Sequence, residues 1–266
     1  GLKESKMKKI VLMVATAAAS TFSVTNALAE EASPHSFSSN VGIFSQYVFR
    51  GITYSDERPA LQGGFDYAHD NGLYAGIWGS TLEEDDNSGN SLEVDFYGGY
   101  YHQLTDDIGI DVGLLQFYYP DHKKYNGENI DTTEAYLAAT WKWFTAKYSR
   151  TLTDWGGVNN KSAGIDGYAN GDTKGTEYLE LNFAYQLPWE VNLNLHVGHL
   201  DVKNYSDFNY TDYMIGLSKD LTIGQSEGWT VGINYTDTDA DKDWWTGVDG
   251  DNRGDNQFIG YISRSF

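Results

Sequence analysis

The chain has 266 residues, with 18 Lys and Arg against 38 Asp and Glu, a formal net charge of −20 and no cysteine. Such acidity repels phosphate and excludes a nucleic-acid binder, and the missing cysteines exclude a disulfide framework and a cysteine-based zinc site. An aromatic content of 15% excludes a disordered chain; no apolar run of ~20 residues follows the first thirty, which excludes a helical membrane protein.

Lys6, Lys8 and Lys9 precede an apolar stretch from Ile10 to Val24, and Ala27-Leu28-Ala29 places small residues at a cleavage position. This is the layout of a secretory signal peptide. Residues 1–29 are expected to be upstream residues plus a cleaved signal, with Met7 as the natural start, and 30–266 a single exported domain.

Beyond the signal, period-2 alternation replaces helical spacing. Leu92, Val94 and Phe96 alternate with Glu93, Asp95 and Tyr97; Leu179, Leu181 and Phe183 with Glu180 and Asn182; Val191, Leu193 and Leu195 with Asn192, Asn194 and His196. Successive strand residues point to opposite faces, so each segment carries one apolar and one polar face. Twelve strands are predicted, over 37–51, 58–69, 72–82, 91–103, 108–118, 132–143, 144–154, 175–187, 190–201, 210–220, 228–237 and 254–266. Tight turns at 70–71, 104–107, 143–144 and 188–189 alternate with long polar loops. An even number of ~10-residue strands with this short-long rhythm predicts an all-β fold, a transmembrane antiparallel up-and-down β-barrel of 12 strands. Tyr47, Phe49, Tyr118, Tyr119, Trp141, Trp143, Trp189, Trp229 and Tyr235 fall at strand ends, where an interfacial girdle belongs. Phe258, Ile262 and Phe266 share the apolar face of the last strand, with Arg264 on the same register, placed to snorkel to the interface.

Four stretches carry a resemblance. They are Gln46-Tyr47-Val48-Phe49-Arg50-Gly51-Ile52-Thr53, followed by Arg58-Pro59-Ala60-Leu61-Gln62-Gly63-Gly64-Phe65, and Gly72-Leu73-Tyr74-Ala75-Gly76-Ile77-Trp78, followed by Glu93-Val94-Asp95-Phe96-Tyr97-Gly98-Gly99-Tyr100. Together with Tyr118-Tyr119-Pro120 they resemble the TorF-type porins of proteobacteria, densely over 40–120 and more loosely beyond. The resemblance implies an outer-membrane barrel and passive transport; it supplies no substrate and no catalytic residue.

The inward register collects Arg50, Asp66, Glu93, Asp95, Asp111, Glu134, Lys142, Lys147, Glu180 and Asp212, seven acids against three bases. Carboxylates on a low-dielectric wall favour cations. The expected function is therefore a channel for small hydrophilic solutes, cation-preferring, in the bacterial outer membrane, bounded by lipid and lipopolysaccharide and needing no cofactor. The alternatives are an outer-membrane lipid or lipopolysaccharide hydrolase and a structural or adhesive barrel with a plugged lumen. Twelve strands give an intermediate bore, so an open and a plugged lumen are both compatible with the pattern.

Other motifs are weaker. Asp237, Asp239, Asp241 and Asp243 stand at alternate positions, as calcium-binding oxygens can. The EF-hand pattern fails, with Lys242 and Val248 where Gly and Glu belong. Glu83-Glu84-Asp85-Asp86 reads as a solvated loop or a weak divalent-cation site. His196 and His199, three apart on a strand, face opposite ways and share no metal. No Gly-x-Ser-x-Gly elbow marks a hydrolase. Gly63, Gly64, Gly98, Gly99 and Gly113 read as sites of barrel curvature and close packing.

Overall fold

The computed structural model describes residues 33–266; the signal-peptide expectation lies outside the described residues. Twelve long strands form a single closed barrel: β1 (His35–Phe44), β4 (Ala60–His69), β5 (Leu73–Thr81), β6 (Leu92–Gln103), β7 (Ile108–Tyr118), β8 (Thr132–Trp141), β9 (Phe144–Thr151), β10 (Glu177–Leu187), β11 (Val191–Asp201), β12 (Tyr210–Ile223), β13 (Ser226–Thr238) and β14 (Gln257–Ser265). Each pairs antiparallel with its neighbour in sequence, and β1 closes on β14 from Asn40↔Ser265 to Phe44↔Tyr261. Closure satisfies every wall strand on both sides, which removes exposed edges. A short helix, α1 (Asn160–Ile165), lies in the β9–β10 loop.

Alternation sets the faces. Phe37, Phe65, Leu114, Leu179, Ile215 and Phe258 are exposed on the outside, while Glu93, Asp95, Glu134 and Asp212 are buried on the inside. Inward tyrosines pack over glycines of the next strand: a side chain at Gly99 would overlap Tyr74, one at Gly113 would overlap Tyr136, and one at Gly198 would overlap Tyr178. The long loops gather at one end of the barrel and the tight turns at the other. Under the loops, Tyr178, Leu200, Val202, Tyr205, Tyr210 and Trp245 form an apolar cluster with Ile52.

The first wall strand was expected to run to residue 51 but ends at Phe44. The chain then leaves the wall and forms an inward hairpin, β2 (Val48–Phe49) and β3 (Ile52–Thr53), paired only with each other. Its two-residue turn is Arg50-Gly51, with φ of 49° and 77°; both central residues in the left-handed region match the twist of a tight hairpin. The last strand starts at Gln257 rather than 254.

The aromatic girdle also needs correction. Trp141, Trp143 and Trp189 are exposed at the tight-turn end as expected of a girdle. Tyr47 instead points inward and is buried in a cluster with Trp78, Tyr97 and Phe117, against which Phe49 and Tyr119 pack. Tyr47 and Phe49 belong to the segment that leaves the wall after Phe44, and Tyr119 lies just past the end of β7. Arg264 stacks over Trp229 and Phe266, with its guanidinium carbon 5.5 Å and 4.5 Å from the ring centres, and donates from Nε to the Glu227 carbonyl.

Candidate functional site

The hairpin crosses the bore. It springs from the β1–β4 side, yet Arg50 at its tip donates from Nη2 to Glu134 Oε1 at 2.8 Å and from Nη1 to Oε2 at 3.2 Å, on β8. Its guanidinium also stacks 4.1 Å from the centre of the Tyr178 ring on β10. A side chain at Gly51 would overlap Asp212 on β12 and Thr238 on β13, so only glycine fits between the tip and the far wall. Gln46 donates to Gln257 at 3.0 Å, and Arg253 donates from Nε and Nη2 to the Thr53 carbonyl, fixing the hairpin's base. The sequence pattern gave Arg50 the right inward position but on a wall strand; it stands on an element within the lumen.

Nine of the ten charged residues expected in the lumen face inward: Arg50, Asp66, Glu93, Asp95, Asp111, Glu134, Lys147, Glu180 and Asp212. Lys142 does not. It lies in the β8–β9 turn with φ of 54°, exposed, its Nζ 5.2 Å from the Trp141 ring centre. Strand parity put it inward, but β8 ends at Trp141 and the turn rotates the next side chain out.

The acids are held mainly by tyrosine rather than by basic partners. Tyr97 donates to Asp66 at 2.5 Å, Tyr74 to Asp111 at 2.6 Å, Tyr178 to Asp212 at 2.5 Å and Tyr47 to Glu93 at 3.2 Å. A phenol donates without cancelling charge, so these contacts leave the acid surplus in place. Glu134 is paired by Arg50, and Asp212 also contacts His196 Nε2 at 2.7 Å. Lys147 lies with its Nζ 4.4 Å from the Tyr136 ring centre. The sequence already put Tyr97 on the inward register, but missed Tyr47, Tyr74, Tyr178 and Arg253 as lumen residues; for Tyr74 the available signal was inward parity opposite Gly99 of the adjacent strand.

Above the hairpin, on the loop side, a cavity of about 740 Å³ is lined by Arg50, Glu93, Glu134 and Arg253 and by rings of Phe49, Tyr54, Phe117, Trp155, Tyr168, Phe208, Trp244 and Trp245. Its floor is the Arg50–Glu134 bridge.

The loop acids do not come together as a calcium site. Asp237 accepts from the Thr238 N–H, Asp239 from the Thr211 N–H and Asp241 from the Asp243 N–H, so these three act as separate turn and strand-end acceptors. Asp243 itself lines the loop-side cavity. Among the described residues no group of three or more acidic or histidine side chains is placed to hold a metal. Glu83 pairs with Arg58 at 2.9 Å, and Asp86 accepts from the Val248 N–H at 2.8 Å. His196 faces inward, and His199 lies outside against Thr211.

A model of the family described as "Bacterial protein of unknown function (Gcw_chp)" matches residues 28–266. Among curated proteins none matches. Among solved structures, one described as "KdgM porin in complex with disordered oligogalacturonate" superposes with a TM-score of 0.53 at 8% identity, covering 86% of this chain and 99% of that chain. A second KdgM porin structure gives 0.51 at 8% identity, over 86% of this chain and 99% of the other. A NanC porin structure gives 0.51 at 14% identity, over 87% of this chain and 99% of that one. At these identities the likeness is one of fold: a 12-strand barrel of the kind porins use.

Proposed function

The chain belongs to the bacterial Gcw_chp family, and we propose that it is a porin-like channel of the outer membrane that passes small hydrophilic solutes by diffusion and prefers cations. The observation that carries this reading is the closed barrel with an apolar outer band and a charged inner wall. An apolar band outside a polar interior is what a bilayer-spanning barrel requires, because lipid satisfies no polar group. The outer band would contact lipid and lipopolysaccharide, and the long-loop end would face the exterior. The resemblance to TorF-type porins supports the same reading.

The cation preference rests on seven inward acids against Arg50 and Lys147. The Arg50–Glu134 pair cancels internally, which leaves six acids against Lys147. A wall with tyrosine-held carboxylates keeps its field, and a low-dielectric surround focuses it. The hairpin narrows the bore at the height of Glu134, so solutes pass the acids at close range.

The His196–Asp212 pair offers little to a hydrolase. His196 Nε2 contacts both Asp212 and Tyr178, and Nδ1 contacts Asn182 Oδ1 at 2.7 Å, so both ring nitrogens are engaged without a serine. Planar-bilayer recording on the refolded chain tests the proposal. Discrete conductance steps with a cation-selective reversal potential are expected; a folded barrel that never conducts would overturn it.

A further inference from the structure

We propose that Glu93 and Asp95 bind a calcium ion where the inward hairpin docks on the wall, beside the loop-side cavity. The inference rests on the channel reading only for the route by which the ion arrives.

The two carboxyl groups sit two residues apart on β6, on the same inward face, and are 2% and 1% exposed. As i and i+2 residues of one strand they are same-face neighbours. No salt bridge reaches either among the described residues, since Arg50 is engaged by Glu134. Among the described residues the one side-chain donor is Tyr47, whose hydroxyl lies 3.2 Å and 3.3 Å from the two Glu93 oxygens. Both Asp95 oxygens are buried with no hydrogen-bond partner. Around Asp95 the wall is apolar: Trp78 faces it from β5 and Phe117 from β7.

A buried, unpaired carboxylate costs several kcal/mol and is compensated by a cation, a proton or a metal. Here two carboxyls meet with no basic side chain. Along the same row of the wall, Gln62 gives its amide hydrogen to Ser80, which faces Glu93 across the β5–β6 ladder, and its own Oε1 is buried without a partner. The patch is thus rich in oxygen acceptors and short of donors. Two carboxylates neutralise one divalent ion, and neutral oxygens of Tyr47, Gln62 and water would complete the shell. Calcium accepts irregular all-oxygen sets, whereas magnesium demands a near-ideal octahedron and keeps its waters. The cavity reaches Glu93, giving an ion access from the loop side. Because Tyr47 belongs to the segment that leads into the hairpin, the ion would pin hairpin to wall.

The test uses the full chain, folded in detergent, with terbium as the luminescent stand-in for calcium. Excitation of Tyr47 and Trp78 beside the site should give sensitised terbium emission that saturates near one equivalent and is displaced by calcium. Asp95→Asn and, separately, Glu93→Gln should each weaken terbium binding at least tenfold, while Asp243→Asn in the loop should leave it unchanged. Heat-modifiable migration on gels confirms that each variant is folded. Emission that persists in folded Asp95→Asn, or that disappears in Asp243→Asn, would assign binding to the loop acids and overturn the proposal. Absence of sensitised emission at pH 7.5 from folded wild-type protein would mean that the pair shares a proton instead, and would also overturn it. A protein that conducts but binds no terbium sinks the calcium site alone; one that binds terbium but never conducts sinks the channel alone.

Discussion

Arg50 and Glu134 are joined by two hydrogen bonds, at 2.8 Å and 3.2 Å, although one stands on an inward hairpin and the other on a wall strand. Their side chains are 10% and 3% exposed, so this is a buried ion pair and the tie that holds the hairpin across the bore. Removing one partner of such a pair strands a buried charge and costs about 3–5 kcal/mol, whereas replacing both with apolar groups costs far less. Arg50→Ala should therefore lower the melting temperature sharply, and Arg50→Met combined with Glu134→Leu should recover much of the loss. In bilayers Arg50→Ala should also raise unit conductance, because the hairpin loses its anchor. An unchanged conductance in a folded Arg50→Ala channel would show that the hairpin does not set the bore.

Selectivity should depend on salt. The Debye length is about 30 Å at 0.01 M and about 3 Å at 1 M, so the field of the inward acids acts on passing ions at low salt and fades at high salt. A reversal potential of cation-selective sign is expected in a dilute gradient and should shrink as both sides approach molar salt. With calcium removed by a chelator, replacing Glu93, Asp95 and Glu134 together by amides should reduce it further, since Arg50 would then be uncompensated. An anion-selective wild-type pore would defeat the charge argument and leave the barrel standing.

The wall was legible in the sequence because an apolar outer face and a polar inner face impose the same period of two on every strand. Leu92-Glu93-Val94-Asp95-Phe96 shows it in five residues, and β6 forms there as expected. The hairpin was not legible, because Ser45 to Phe49 continues the alternation of β1 and is apolar for a different reason: it packs Tyr47 against Trp78 inside the barrel. The one local sign was Arg50-Gly51, a pair suited to a tight hairpin turn. Lys142 was misplaced because parity says nothing about where a strand ends. The tyrosine–carboxylate contacts depend on neighbours 31 to 46 residues apart, as for Tyr97–Asp66 and Tyr47–Glu93, and no local pattern encodes them.

Asp56, in the loop that follows the hairpin, should make the loop end sensitive to pH. Burial and the nearby carboxylates of Asp249 and Asp86 raise its pKa above the ordinary carboxylate value. A carboxyl with a raised folded pKa holds its proton more tightly in the folded state, so the folded state gains stability as pH falls through that value and loses it as pH rises. Asp56→Asn, which cannot ionise, should melt at a higher temperature than wild type at pH 7.5, with the gap closing near pH 4. A gap that is the same at both values would place the effect in packing rather than charge.

The glycines opposite inward tyrosines give the sharpest test of the wall itself. At Gly99 an added Cβ would overlap both the Val112 carbonyl and the Tyr74 hydroxyl, and that hydroxyl is the donor to Asp111. The backbone oxygen belongs to a paired strand and cannot move alone, so Gly99→Ala must either part β6 from β7 or expel the Tyr74 ring. Overpacking of this kind typically costs about 1–3 kcal/mol. Gly260, on the outer face of β14, has no neighbour within 4 Å of the same added carbon. Gly99→Ala is therefore expected to refold poorly or to migrate as an unfolded band without heating, and Gly260→Ala to behave as wild type. Both substitutions add one methyl to one barrel strand, so equal effects on the two would show that the ring-over-glycine packing does not govern closure of the barrel.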